Sequence, residues 1–143
     1  WWGIHSTFAT STKGTIYYSG NGNKYVDGSG SSYGATYASG DIIGFAVDMD
    51  NQQVTFYKNN VSQGTITNSN LQADADQYDM FPFFSDGGGS SGPTVSVNFG
   101  DPGPGFFISS AAADANGYGT FEYAPPTGFY ALCTKNISQY GGT

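Results

Sequence analysis

Short segments rich in β-branched and aromatic residues, each followed by a turn rich in glycine or asparagine, run through most of this 143-residue chain. The clearest of them are Thr15–Ser19, Ile42–Met49, Val54–Lys58 and Val61–Thr67. Turn residues separate the last three, at 50–52 and at Asn59-Asn60, and Asn tolerates the positive φ that a tight turn requires. The pattern predicts a meander of short antiparallel strands over 42–67 and an all-β fold.

The rest of the chain continues this pattern. We predict further strands at Lys24–Asp27, Phe81–Phe84, Thr94–Phe99, Gly119–Ala124 and Phe129–Thr134. Gly28–Ser32 is expected to be a flexible loop, and Ser109–Ala115 has the serine cap and the alanines of one or two helical turns. Short strands with glycine-rich turns about every 8–12 residues indicate an antiparallel β-sandwich or barrel, and the length suits one domain over 1–143.

The composition excludes several classes of function. The chain carries four lysines and no arginine against 11 acidic residues, for a net charge of −7. It therefore lacks the basic patch that nucleic acid or an anionic membrane surface would require. No apolar stretch approaches the roughly 18 residues of a membrane-spanning helix, so we expect no membrane insertion. Cys133 is the only cysteine, which excludes an intrachain disulfide.

The sequence contains few candidates for catalysis. His5 is the only histidine, and no convincing Gly-x-Ser-x-Gly turn accompanies it to hold a nucleophilic serine. Asp48 and Asp50 are two residues apart on a predicted strand, so they share one face and lie about 6–7 Å from each other. Such a pair suits either glycoside hydrolysis or a structural role, in which the carboxylates bond the backbone of the turn. Glu122 is the only glutamate and has no evident partner. We expect no enzymatic activity and no cofactor.

One acidic segment resembles a cation-binding loop. Asp74, Asp76 and Asp79 place three carboxylates close together, and calcium prefers such hard oxygen ligands. The glycine and the closing glutamate of an EF-hand loop are absent. The segment is therefore either a solvated acidic loop or a weak calcium site.

Tyrosines are concentrated in the first quarter of the chain, among glycine, serine and asparagine. They are Tyr17, Tyr18, Tyr25, Tyr33 and Tyr37. Binding loops favour this mixture of rigid aromatic plates and adaptable polar neighbours, and flat rings also suit the faces of sugars. The alternative is that these rings pack at the edge of the sandwich.

The stretch Gly40–Gly64 reads GDIIGFAVDMDNQQVTFYKNNVSQG and resembles the SPRY domain, the core of B30.2 modules. The resemblance lies in Gly-Asp, an apolar strand that ends in Asp-x-Asp, and Phe-Tyr-Lys-Asn before a later Gly. It implies that Asp48 and Asp50 close the turn after the strand and that Asn59 and Asn60 form the next turn. Asn60 stands where the family usually has glycine.

The resemblance continues to the end of the chain. Phe81-Pro82 and Asn98-Phe99-Gly100 fit later strands of the family, and Gly119–Ile137 resembles the ending of SPRY domains in bacteriophage virion proteins. The segment 101–118 is longer than the common SPRY connection. The family's first strands, before a segment such as Trp2-Gly3-Ile4, are missing, so we expect either a piece of a longer chain or a strand supplied by another segment.

The resemblance implies a non-catalytic module with loops that recognise a partner. In a virion it implies a tail-fibre or capsid-surface protein, on the virion surface or extracellular, that binds a host-surface glycan or protein or a neighbouring subunit. The alternative is a structural subunit of a filament or oligomer, in which another chain fills the missing strands by strand addition. We expect a homo-oligomer, and the structural alternative requires one.

Overall fold

The computed structural model describes residues 2–5, 14–71, 81–84, 94–103 and 106–140. The chain divides into two compact units, residues 1–92 and residues 93–143. The strands are β1 (Trp2–His5), β2 (Ile16–Tyr18), β3 (Asn23–Val26), β4 (Ser29–Ser32), β5 (Ile43–Asp48), β6 (Gln53–Lys58), β7 (Val61–Thr67) and β8 (Phe81–Phe84), and the helix is α1 (Thr134–Tyr140). All the strands found among the described residues belong to the first unit, and the predicted all-β class holds for that unit.

The first unit contains two antiparallel sheets. One has five strands in the order β4-β3-β2-β1-β8, and the other has three strands in the order β5-β6-β7. The three-stranded sheet is the meander predicted over 42–67, with Ile43 opposite Lys58 and Val54 opposite Ile66. The meander that the sequence predicted over 42–67 is therefore confirmed.

The core of this unit lies between the two sheets. Ile16 and Tyr18 come from the five-stranded sheet, Val54 and Phe56 from the three-stranded sheet, and all four are almost completely buried. Because side chains alternate along a strand, residues 16 and 18 face the core while Tyr17 faces the opposite side of its sheet. Two antiparallel sheets that share one apolar core are a β-sandwich, as the sequence predicted.

The structure corrects one loop prediction in this unit. Gly28–Ser32 was expected to be a loop, but residues 29–32 form β4, paired with β3. The turn before it consists of Asp27 and Gly28, both with positive φ, at 50° and 81°. Asp-Gly is a strong hairpin signal because both residues tolerate the φ values of a type I′ turn. The strand follows from that turn rather than from its own weak propensity.

The second unit departs from the predicted strands. Thr94–Phe99, Gly119–Ala124 and Phe129–Thr134 contain no strand in the described part of this unit, where one isolated bridge joins Ala112 to Phe121. The physical reason lies in side chains that bond the backbone. Asn98 donates to the Thr120 carbonyl at 2.7 Å and accepts from the Gly100 amide at 2.7 Å, which folds 98–100 into a turn instead of extending it.

The predicted helical turns at Ser109–Ala115 are also wrong. The Glu122 carboxylate accepts hydrogen bonds from the Ser109 amide and hydroxyl, which fixes a bend there, while the helix of this unit lies at α1. Within the ranges that the structure describes, no helix has the length and apolar character needed to cross a membrane.

Candidate functional site

The five tyrosines of the first quarter divide between the two faces of the five-stranded sheet. Tyr18 is fully buried, and its ring packs edge-on against Tyr33 and Tyr37, with centroid distances of 5.3 and 5.0 Å. Phe56 completes this inner group at 5.7 Å from Tyr18. The inner tyrosines therefore contribute to the sandwich core, and Tyr18 has no exposed side-chain surface for a ligand.

Backbone carbonyls bind the hydroxyls of the inner tyrosines. The Tyr18 hydroxyl donates to the Ala35 carbonyl, and the Tyr37 hydroxyl donates to the Tyr18 carbonyl at 2.9 Å. Burial raises the pKa of Tyr37 to about 12, with a further contribution from Tyr18. Burial likewise raises the pKa of Tyr18 and Tyr33. These phenols are therefore neutral hydrogen-bond donors at ordinary pH.

Tyr33 has a specific structural role in the three-stranded sheet. The pairing of β6 with β7 is irregular between Thr55 and Tyr57, which leaves the Phe56 amide outside the regular ladder. The Tyr33 hydroxyl accepts a hydrogen bond from that amide at 3.3 Å and donates one to the Gly64 carbonyl. One phenol thus bridges the two strands at the β-bulge.

Tyr17 and Tyr25 lie on the outer face, opposite the core. They are cross-strand neighbours on β2 and β3, and their rings stack with centroids 4.6 Å apart and planes 12° apart. Phe83 on β8 meets Tyr17 edge-on at 6.0 Å. Burial, followed by the neighbouring Tyr25, raises the pKa of Tyr17. Together these three rings form an aromatic group on the outer face.

The register of the sheet places this group in one row across all five strands. From edge to edge, the row is Gly30, Tyr25, Tyr17, Gly3 and Phe83. We call it the aromatic row. At the β4 end, a Cβ built on Gly30 would lie 2.8 Å from the ring of Tyr25, so this ring leans over the glycine toward the edge of the sheet.

The predicted turn residues bond the backbone and each other. Asp48 accepts hydrogen bonds from Asn51, at 3.0 Å from the amide and 2.8 Å from the side chain, and these bonds lower the pKa of Asp48. Asp50 lies exposed in the same turn. Asn59 and Asn60 both have positive φ, at 47° and 68°, between β6 and β7.

The Gly-Asp and Lys-Asn motifs meet in one network. Asn59 accepts from the Ile42 amide at 2.9 Å and donates to Asp41 at 2.7 Å. Lys58 forms an ion pair with Asp41 at 3.2 Å and donates to the Thr36 carbonyl at 2.8 Å. Bonds from the Ala38 amide and Asn59 lower the pKa of Asp41. These motif residues hold the ends of β5 and β6 together.

Two carboxylate networks were missed by the sequence analysis, one around the half-buried Asp27 and one around the buried Asp114. The first lies in unit one, where Asp27 accepts from Gly14 at 2.7 Å, Asn68 at 3.0 Å and Asn70 at 2.7 Å. Burial acts to raise the pKa of Asp27, but these hydrogen bonds outweigh it, and the pKa lies below its ordinary value. The link joins the β3–β4 turn to the loop after β7. The Asp-Gly dipeptide at 27–28 was the available signal.

The second network lies in unit two. Asp114 is buried and accepts hydrogen bonds at 2.9 Å from the amides of Asn116, Tyr118 and Ala131, and at 2.7 Å from Asn136. Burial acts to raise the pKa of Asp114, but these bonds outweigh it and lower the pKa. No sequence signal separates this aspartate from the other acidic residues.

The remaining candidates for chemistry do not assemble in the described residues. The calcium candidates Asp74, Asp76 and Asp79 lie outside the described residues, and within the described ranges no three His, Cys, Asp or Glu side chains converge on a metal position. Glu122 is fully engaged with Ser109 and Ser110, and the bonds from Ser109 lower the pKa of Glu122. His5 lies in β1.

The first unit is an antiparallel β-sandwich with aromatic rings on an outer face, and its described Asp and Asn side chains stabilise turns. These features are typical of the class of β-sandwich binding modules. Comparison with known families makes the assignment specific: the family model of the SPRY domain matches residues 4–102, and the chain belongs to the SPRY family. SPRY domains are protein–protein interaction modules and are generally non-catalytic. No curated protein matched the chain.

Proposed function

We propose that this chain is a non-catalytic recognition or assembly module on the surface of a phage-like particle, in a tail fibre or capsid. Its partner is a host-surface glycan or protein or a neighbouring virion subunit, and its place is the virion surface or another extracellular setting. The two compact units then act as one functional domain over 1–143. No cofactor takes part.

The aromatic row is the observation that carries this proposal. Tyr17 and Tyr25 present a stacked pair on the outer face of the sheet, and aromatic residues are enriched in binding surfaces because they supply a large contact area at low entropy cost. Tyr18, Tyr33 and Tyr37 pack in the core with hydroxyls on backbone carbonyls. We therefore assign partner contact to Tyr17 and Tyr25 alone.

The phage setting rests on the sequence of the closing segment and on composition. Gly119–Ile137 resembles the ending of phage SPRY domains, and only 10% of residues are charged, while glycine, serine, threonine and asparagine abound. This composition suits a protein exposed outside a cell. The partner subunits and the host receptor are inferred from that setting.

A defined set of variants tests the recognition function. The labelled chain is applied to an array of bacterial surface oligosaccharides and to purified host envelope proteins. We expect saturable binding that Tyr17→Ser and Tyr25→Ser weaken and that Tyr123→Ser, a surface tyrosine of unit two, leaves unchanged. Equal binding by all three variants would remove the aromatic row from the recognition surface.

The alternative is a structural subunit that assembles by strand sharing, and the exposed edge strand β4 favours it. Light scattering over a range of concentrations separates the two functions. A monomer that binds the array supports recognition. An oligomer that ignores the array and dissociates on dilution supports assembly.

A further inference from the structure

The β4 edge of the five-stranded sheet is the feature that carries an inference beyond the general role of an interaction module. All four residues of β4, Ser29–Ser32, are exposed, and β4 pairs only with β3 in the described part of the chain. The strand has no charged residue, no proline and no bulge, which are common devices that protect sheet edges. Its length of four residues is itself a protective feature.

The direction of its backbone groups follows from the hydrogen bonds of β3. The Ser19 amide donates to the Asn23 carbonyl at 2.8 Å, and the Asp27 amide donates to the Thr15 carbonyl at 2.9 Å. The odd-numbered residues of β3 therefore bond to β2. Because bonding directions alternate along an antiparallel strand, the even-numbered residues of β3 bond to β4.

The partners of those even-numbered residues are Ser29 and Ser31. Both therefore direct their amide and carbonyl groups toward β3. Gly30 and Ser32 direct theirs away from the sheet, where no described residue bonds them. The β4 edge thus offers two donors and two acceptors with the spacing of one more antiparallel or parallel strand.

Tyr25 determines which side chain an added strand would place beside β4. Its ring leans over Gly30, 2.8 Å from the position of a Cβ on that residue. A residue of an added strand that lies opposite Gly30 on the outer face would be next to this ring. An aliphatic or aromatic side chain gains most from such a contact, since cross-strand aromatic pairs stabilise sheets.

We propose that β4 binds an extended segment of a partner protein by strand addition, with an apolar side chain against Tyr25 and basic residues at its flanks. The net charge of −7 favours a cationic segment. The strand β7 is an edge strand of the other sheet and serves as the comparison in the test below. The inference rests on the proposed function only in taking the partner to be a polypeptide.

The test uses the whole ¹⁵N-labelled chain and a capped heptapeptide of alternating leucine and threonine with a lysine at each end. We expect saturable NMR shifts at Ser29–Ser32 and Tyr25, and slower hydrogen exchange at the amides of Gly30 and Ser32. Shifts confined to β7, or no saturable shifts, would overturn the proposal. Shifts confined to loops would also overturn it, while they leave the interaction function intact.

Two matched comparisons separate strand addition from adhesion of an apolar peptide. Two N-methylated peptides are compared, each methylated at one of the two alternating sets of backbone amides. Methylation of the amides that face β4 should abolish binding, and methylation of the other set should not. Equal effects of the two would refute a paired strand. Tyr25→Ser should weaken binding by about 2- to 5-fold, and Tyr123→Ser should not. Light scattering must show a monomer in the peptide-free sample. A dimer paired through β4 would mean that this edge binds a second copy of the chain and not a partner segment, which would overturn the proposal.

Discussion

Removal of the Tyr33 hydroxyl tests how the three-stranded sheet is held together at its bulge. In the Tyr33→Phe variant the ring still packs against Tyr18 and Phe56, but the Phe56 amide and the Gly64 carbonyl lose their common partner. Gly64 is exposed, so water can replace the hydroxyl there. Phe56 is fully buried, so its amide is left without a hydrogen bond.

The size of the effect follows from that single buried donor. An unsatisfied buried amide costs about 1–3 kcal/mol, and the 3.3 Å length of the lost bond places this case at about 1–2 kcal/mol. If unit one unfolds as a body of about 90 residues, its unfolding entropy is about 0.2 kcal/mol/K. The melting temperature should then fall by about 5–10 °C.

Urea and thermal unfolding followed by circular dichroism measure this change, and amide exchange at Phe56 should accelerate in the variant. Tyr25→Phe is the matched control, because the Tyr25 hydroxyl forms no hydrogen bond with any described residue. A Tyr33→Phe variant as stable as Tyr25→Phe, with unchanged exchange at Phe56, would refute the role of the phenol in bridging β6 and β7.

Three further predictions concern two glycines of unit two, the acid stability that Asp114 provides and the alkaline stability that Tyr37 provides. Gly119→Ala should destabilise unit two by more than Gly117→Ala in urea unfolding, because both have positive φ, at 87° and 77°, but only the Cβ at 119 would lie 2.4 Å from the ring of Phe121. Asp114→Asn should lower the free energy of unfolding of unit two by about 2–4 kcal/mol at pH 7, because the new amide nitrogen would face backbone N–H groups such as that of Ala131. The folded pKa of Asp114 is lowered, so the stabilisation by this carboxylate is present above its ordinary pKa of 3.8 and is lost as the pH falls below that value. Equal stability of the two proteins at pH 7 would contradict the network. Because the folded pKa of Tyr37 is raised to about 12, its neutral phenol stabilises the fold below pH 10, and this stabilisation is lost between pH 10 and about 12. Tyr37→Phe should therefore reduce the decrease of the unfolding free energy with pH in that range. The same decrease in the variant would be evidence against this role of Tyr37.

The sequence predicted the three-stranded sheet well because its signals are local. Ile42–Met49 and Val54–Lys58 have strong strand propensity, and Asn59-Asn60 has the turn chemistry that fixes register. The alternation of Thr94–Phe99 is equally clear, yet no strand forms in the described residues there. Alternation shows which side chains could share a face, but a strand also needs a neighbour with free backbone groups, and Asn98 folds the segment into a turn instead.

The site was only partly accessible from the sequence. The sequence grouped five tyrosines as one candidate binding cluster, but alternation along β2 places Tyr17 and Tyr18 on opposite faces of the sheet. Which face a ring occupies depends on strand register, and the exposed β4 edge depends on the type I′ turn at Asp27-Gly28. Both are visible only once the sheet is assembled.

The turn at 98–100 has a consequence for any shortened version of this chain. The family match ends at residue 102, but Asn98 and Gly100 bond Thr120, and a side chain at Gly100 would meet Ala131, far downstream. A chain cut at residue 102 would keep the turn at 98–100 while deleting the residues that bond and contact it. A shortened chain that is meant to retain the turn at 98–100 therefore needs unit two through at least Ala131.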